Sequence, residues 1–255
     1  MVAQTAGPEN GWLIIHGGGT VSNETKKRFV ALAGGPDANF VLIPTALSEK
    51  QINARGSFDV QERAWAKSWG INHFTILHAN DKAHANSEYF IDALRKASGV
   101  WIMGGRQWRL ADAYLDTGVE SEIKALLDRG GVVGGSSAGA SMQASFLVRG
   151  DSTKPGFPDG DNRIMVGNHQ KGFGLLTHSA IDQHLNPGKR EHDLEEVIEK
   201  HPELLGLGID EGTAIVVHRD SFEVIGGQVA IYDGHRHNGA FYYSLSPGRH
   251  TFPAR

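Results

Sequence analysis

The sequence predicts an α/β fold: a mostly parallel sheet flanked by helices, with antiparallel strands toward the C-terminus. Three observations predict it. Short apolar runs rich in β-branched residues recur through the first half of the chain. Stretches with apolar residues at helical spacing lie between them, the alternation expected of a parallel sheet covered on both faces. After about Phe146 that alternation stops, and strand-like runs crowd together from Gly206 onward.

The elements follow in order. "WLIIH" (Trp12–His16), "FVLIPTA" (Phe40–Ala46), "FTILHA" (Phe74–Ala79), "VWIMGG" (Val100–Gly105) and "GVVGG" (Gly131–Gly135) are too short for helices and read as buried strands. Helical spacing marks Asp59–Trp69, Ser87–Ala97, Arg106–Leu115 and Val119–Arg129; Ser87 is placed as an N-cap, and Gly99 follows soon after that segment ends. Val148–Arg163, rich in Gly, Pro and Asp, reads as a long loop or flap. Ser179–His184 alternates like a strand and places His184 at its C-terminal edge, where sites form in parallel sheets. "LGLGIDEGTAIVVHRDSFEVIGGQVAIYDG" reads as consecutive antiparallel strands with Asp-Ser and Gly-Gly turns. The 33 glycines cluster at the ends of apolar runs. With no repeat and no linker, residues 1–255 are taken as one α/β hydrolytic domain with a mixed sheet, and residues 1–11 as a flexible N-terminal segment.

Composition narrows the function. A net charge of −4 leaves no basic footprint for nucleic acid, and no apolar run approaches the roughly 20 residues that span a bilayer. Zero cysteines remove disulfides, thiolate metal sites and cysteine nucleophiles together. The compartment stays open: "AQTAGPE" fits either a cytoplasmic start or a mature form left after export.

"GGVVGGSSAGASMQA" (Gly130–Ala144) carries the chemistry. Gly135-Ser136-Ser137-Ala138-Gly139 matches G-x-S-x-G with a strand before and a helix-friendly segment after. Such a turn lifts the central hydroxyl out of the sheet, which favours Ser137 over Ser136. The plain alternative is a Gly-rich turn with a serine cap. A nucleophile needs a base, and among 13 histidines His184 in "HSAIDQH" stands out. The adjacent acids Asp210 and Glu211, set between apolar flanks, are costly there unless paired, and one of them is expected to face His184.

Together "IIHGGG", "MGGRQ", "GGSSAGA", "IDQH" and "GIDEGTAIVV", in this order from about Trp12 to Val217, resemble the cyanophycinase branch of peptidase family S51, which also includes aspartyl dipeptidase (peptidase E). The resemblance implies a flavodoxin-like fold of the class I glutamine amidotransferase type and a Ser-His-Glu triad. It matches Ser137 to the nucleophile, His184 to the base, Glu211 to the acid and Gln107 to a substrate-pocket glutamine. The backbone N–H groups of Ala138 and Gly105 are then expected to hold the oxyanion. Asp182, Gln183, Lys189 and Arg190 around the "DQH" motif, with Arg106, are expected to meet substrate. The family has several arginines after "DQH"; this chain keeps Lys189 and Arg190 but has Gly188 and Asp193 where arginines are expected. The implied activity is a serine-type exopeptidase on aspartyl peptide bonds, with cyanophycin the first substrate to try and β-Asp-Arg dipeptides as product. No cofactor is expected, activity is expected to rise with pH as His184 loses its proton, and the family tends toward homodimers.

Other readings remain beside this one. An α-aspartyl dipeptidase of the peptidase E type is the nearest. His16-Gly17-Gly18-Gly19 also spells the HGGG motif of lipase-like esterases, but it follows the first strand, and that reading would require Asp220 or Asp233 with His235 or His250 as acid and base. A Gly-rich turn at a strand edge suits it better. His235 and His237 put two imidazoles on one strand face without a third ligand, so no metal is expected. A binder that has lost catalysis is the last alternative.

Overall fold

The computed structural model describes residues 5–152, 161–186 and 189–253. The expected flap therefore lies partly outside the described residues, as do residues 1–4 and Gly188. In chain order the elements are β1 (Trp12–His16), α1 (Asn23–Leu32), β2 (Phe40–Ile43), α2 (Glu49–Asn53), α3 (Phe58–Trp69), β3 (Phe74–Ile76), α4 (Lys82–Ala85), α5 (Glu88–Lys96), β4 (Gly99–Ile102), α6 (Gln107–Tyr114), α7 (Gly118–Asp128), β5 (Val132–Ser136), α8 (Ala138–Ser141) and β6 (Ala144–Phe146). The second half adds β7 (Leu176–Gln183), α9 (Glu195–Lys200), β8 (Leu205–Ile209), β9 (Ala214–His218), β10 (Ser221–Ile225), β11 (Val229–Tyr232), β12 (Tyr243–Leu245) and β13 (Gly248–Thr251).

The mixed α/β class holds, but there are two mixed sheets where one was expected. The larger has the order β13-β10-β9-β1-β5-β4-β2-β3; the smaller is β12-β11-β8-β7-β6. In the larger sheet β1 through β5 are parallel, and β9, β10 and β13 add antiparallel to the β1 side. In the smaller, β6, β7 and β8 are parallel, and β11 and β12 antiparallel. The C-terminal run is thus not a simple meander: β8 pairs parallel to β7, β9 and β10 join the larger sheet, β11 and β12 return to the smaller, and β13 closes the larger. Strand periodicity says which face is buried; it does not say which neighbour supplies the ladder.

Side-chain alternation sorts the core into layers. Leu13 and Ile15 of β1 face a core shared with Ile181, Leu207 and Ile209 of the smaller sheet, while Ile14 points the other way toward Phe29, Trp69 and Trp101. A third cluster, with Ala180, Leu194, Ile198 and Tyr232, covers the far side of the smaller sheet. The four expected helices are present within a residue or two. β2 ends before Pro44, which has no N–H for the ladder, so "PTA" turns at the strand's C-terminal edge. Residues 5–11, expected as a flexible lead-in, are tied down: Gly7 N–H donates to Arg219 O, Ala6 N–H to Asp220 Oδ1, and Ala6 O accepts from Thr177 N–H.

Candidate active site

Ser137 stands directly after β5, with φ 55° and ψ −114°. A non-glycine residue rarely holds that conformation, and it aims the side chain out of the sheet at a strand-to-helix turn. The turn is fixed by its neighbours: Ser137 N–H donates to His16 O at 3.0 Å, and Ser137 O accepts from Ala140 and Ser141. The following helix α8 is only one turn long, so individual N–H groups rather than an extended helix dipole act on this hydroxyl. Ala138 N–H and Gly105 N–H have no hydrogen-bond partner among the described residues. Gly104 lies against Ser137; a Cβ there would sit 3.0 Å from Ser137 Cβ and 3.5 Å from its Oγ.

The hydroxyl's partner comes from the other sheet. Ser137 Oγ is 2.8 Å from His184 Nε2, and His184 Nδ1 is 2.5 Å from Glu211 Oε1. His184 directly follows β7, and Glu211 lies two residues past β8. These strands pair with Gln183 opposite Ile209, so their C-terminal ends bring base and acid side by side. The carboxylate fixes the ring: an N–H at Nδ1 donates to Glu211 and leaves Nε2 free to accept from the serine. The hydrogen bond from His184 first, with help from Asn186 and the charge of Lys189, holds the Glu211 carboxyl below the usual range. Asp210 and Glu211 lie on the β8–β9 turn, not inside a strand as expected, so Glu211 is half-exposed while burial pushes the Asp210 carboxyl up.

The run His16–Gly19, a Gly-rich turn at the end of β1, supports the site through its backbone. His184 N–H donates to Gly17 O at 2.7 Å, and Gly212 N–H donates to Gly18 O at 2.9 Å, so the glycine loop cradles base and acid alike. A Cβ on Gly18 would fall 2.2 Å from His184 Cε1, and its φ of +105° also favours glycine. The signal was visible as consecutive glycines at a strand's end, but not their target. Gly17 N–H is held by Thr213 O and Gly18 N–H by His16 Nδ1, so neither amide is free to serve an esterase oxyanion hole. His16 itself is fully buried beside Ser136, 3.1 Å from its Oγ. Burial, then the nearby His184, lower its imidazole to about 4.

The other expected contacts divide. Gln107 is buried at the start of α6, and its Nε2 has no hydrogen-bond partner among the described residues. Arg106, at the cap of the same helix, has no side-chain ion pair among the described residues. Lys189 is exposed. Arg190 reaches back to Gln183 O at 3.2 Å, and Gln183 is buried. Asp182, expected at the substrate, is a correction: it is fully buried, and both its oxygens take hydrogen bonds from Arg149, Nε to Oδ1 at 2.7 Å and Nη2 to Oδ2 at 2.8 Å. Arg149 also binds Asp193 Oδ2 at 2.5 Å, so the acid found where an arginine was expected is occupied inside the protein. His235 and His237 lie in the β11–β12 connection rather than on a strand face, and His237 Nε2 is 3.0 Å from Asp233 Oδ1.

A hydroxyl on a strained strand-to-helix turn, linked to imidazole and carboxylate, places the molecule among serine-type hydrolases. Residues 13–225 match the model of peptidase family S51, and the chain belongs to that family. Its relatives include the cyanophycinase of Geminocystis herdmanii, 31% identical over 86% of this chain and 76% of the relative. The cyanophycinase of Synechococcus elongatus is 30% identical over 80% of this chain and 62% of its own length. Among solved structures, a peptidase from an acI-B1 actinobacterium shares the fold with a TM-score of 0.73, 23% identity, and coverage of 98% of this chain and 99% of its own. Among the described residues, no helix is long and apolar enough to cross a membrane.

Proposed function

We propose that the protein is a serine-type peptidase cleaving aspartyl peptide bonds, with cyanophycin as its first candidate substrate and β-Asp-Arg dipeptides as product. The observation that carries this reading is the hydrogen-bonded line from Ser137 Oγ through His184 to Glu211. Ser137 attacks the scissile carbonyl while His184 Nε2 takes its proton. The N–H groups of Ala138 and Gly105 receive the oxyanion. His184 then returns the proton to the leaving amine, and water, activated by the same imidazole, releases the acyl group. Glu211 keeps the ring in the accepting tautomer and supports the imidazolium.

Specificity for an acidic substrate rests on polar and cationic groups near the site. Arg106 offers a planar fork suited to a carboxylate, the free Nε2 of Gln107 offers a donor, and Lys189 and Arg190 lie on the segment after the base. The relatives named as cyanophycinases support the polymer as substrate. The finer fold assignment, flavodoxin-like and of the class I amidotransferase type, is supported by strand order. Reading β3-β2-β4-β5-β1 across the parallel strands reproduces the 2-1-3-4-5 arrangement, with β1 in the last place.

Purified protein incubated with cyanophycin, with products identified by mass, tests the reading. Dipeptide release by the wild type and none by Ser137→Ala is the expected result. Cleavage of Asp-Xaa dipeptides but not of polymer would move the assignment to an aspartyl dipeptidase, and no cleavage of either would overturn it.

A further inference from the structure

A second hydroxyl–imidazole–carboxylate line lies outside the active site, at the C-terminal ends of β2 and β3. Thr45 Oγ1 is 2.8 Å from His78 Nδ1, and His78 Nε2 is 2.5 Å from Glu49 Oε1, which also accepts from Asn80 Nδ2 at 2.6 Å. Thr45 Oγ1 is also 2.6 Å from the hydroxyl of Tyr114, which accepts from Ala79 N–H at 3.3 Å. Burial pushes the Tyr114 phenol up, so it stays protonated. The chain closes in one sense: the phenol donates to Thr45, Thr45 donates to His78 Nδ1, and the Nε2 proton goes to Glu49. Thr45 and Tyr114 are buried, so the threonine has no access to substrate.

What the chain holds is α6. Tyr114 is the last residue of that helix. At the helix's other end, Ala46 O, one residue past Thr45, accepts from Arg106 N–H at 2.8 Å and from Arg109 Nη1 at 3.1 Å. Gly105 packs so closely on this carbonyl that a Cβ there would lie 2.1 Å from Ala46 O. Both ends of α6 therefore hang from the Thr45–Ala46 turn; the loop before the helix carries Gly104, which lies against Ser137, and Gly105, and Gln107 opens the helix.

We propose that Thr45, His78 and Glu49 are positioning residues, which set the Gly104–Gln107 wall of the active site at the height the oxyanion requires. The inference rests on the reading that Ser137 attacks and Gly105 N–H stabilises. Because a small displacement of such a donor weakens it only in the transition state, the effect belongs in the rate of Ser137 chemistry rather than in substrate affinity.

The test uses the rate at which a fluorophosphonate labels the full chain, with folding of each variant checked by circular dichroism. That reagent needs the serine, the base and the oxyanion donors, but no particular peptide. Thr45→Val is isosteric and is expected to label about tenfold more slowly, while Thr45→Ser is restored to within about twofold. Glu49→Ala, at an exposed position that does not threaten the fold, is expected to label about threefold more slowly. On a cleaved substrate, Thr45→Val lowers kcat with KM little changed. Wild-type labelling rates in folded Thr45→Val and Glu49→Ala would overturn the inference alone. A wild-type protein that is not labelled at Ser137 would overturn the Ser137 reading, and this inference with it.

Discussion

Acidification acts on this protein through a histidine that takes no part in the proton transfers. His16 is fully buried and accepts from Gly18 N–H at 3.2 Å through Nδ1, and its Nε2 has no hydrogen-bond partner among the described residues. Its folded pKa falls from 6.5 to about 4. The unfolded chain therefore takes up this proton first. Stability is at full strength above pH 6.5 and declines as the pH drops through the window toward 4, below which the loss is complete. At about 1.4 kcal/mol per pKa unit, the full loss is on the order of 3 kcal/mol, and roughly 2 kcal/mol of it has gone by pH 5. Urea unfolding of wild type and His16→Asn at pH 8 and pH 5 isolates this contribution. The variant's constant packing defect cancels, and the wild type should lose about 2 kcal/mol more than the variant on acidification. The His16 Cε1–H resonance should also show no titration down to about pH 5. Equal losses in the two proteins, or a His16 signal that titrates near 6.5, would refute the reasoning.

Three further outcomes follow from the same geometry. Glu211→Gln should keep the fold and lower kcat by about 10³–10⁴, because the amide no longer enforces the Nδ1–H tautomer of His184; steady-state kinetics on a cleaved substrate measures it. Gly18→Ala should abolish Ser137 labelling while far-ultraviolet circular dichroism stays unchanged, since its Cβ enters the His184 ring. Asp182→Ala removes one of the two carboxylates on the buried Arg149 guanidinium, leaving Asp193, and should destabilise by about 1–3 kcal/mol in denaturant unfolding, an outcome that a role confined to substrate contact would not produce.

Much of the scaffold was legible in the sequence, for identifiable reasons. Helices α3, α5, α6 and α7 show apolar residues at helical spacing, and β1 and β5 are apolar runs stopped by glycine. Helix α1 escaped notice because, of its ten residues, only Thr25 and Phe29 are buried, too few to set a period. Ser137 was marked by small neighbours between strand and helix, and His184 and Glu211 by motif resemblance. Two things were not legible. Which strands share a sheet depends on pairings between distant segments, so β8 was read as antiparallel although its ladder with β7 is parallel. Asp182 was taken for a substrate contact because its neighbours are functional, whereas Arg149, thirty-three residues earlier, consumes both of its oxygens. A local pattern carries no record of such a distant partner.

The alternation of strands between the sheets has a mechanical meaning. The backbone passes from one sheet to the other between β5 and β6, back between β8 and β9, and then twice more before β13. Ser137 rides on the first of these passages and Glu211 on the second. The two sheets are laced together at the spot where the reacting groups meet, so neither can drift or melt alone without dragging the hydroxyl from the imidazole. Chemistry in this molecule reports on the integrity of a seam.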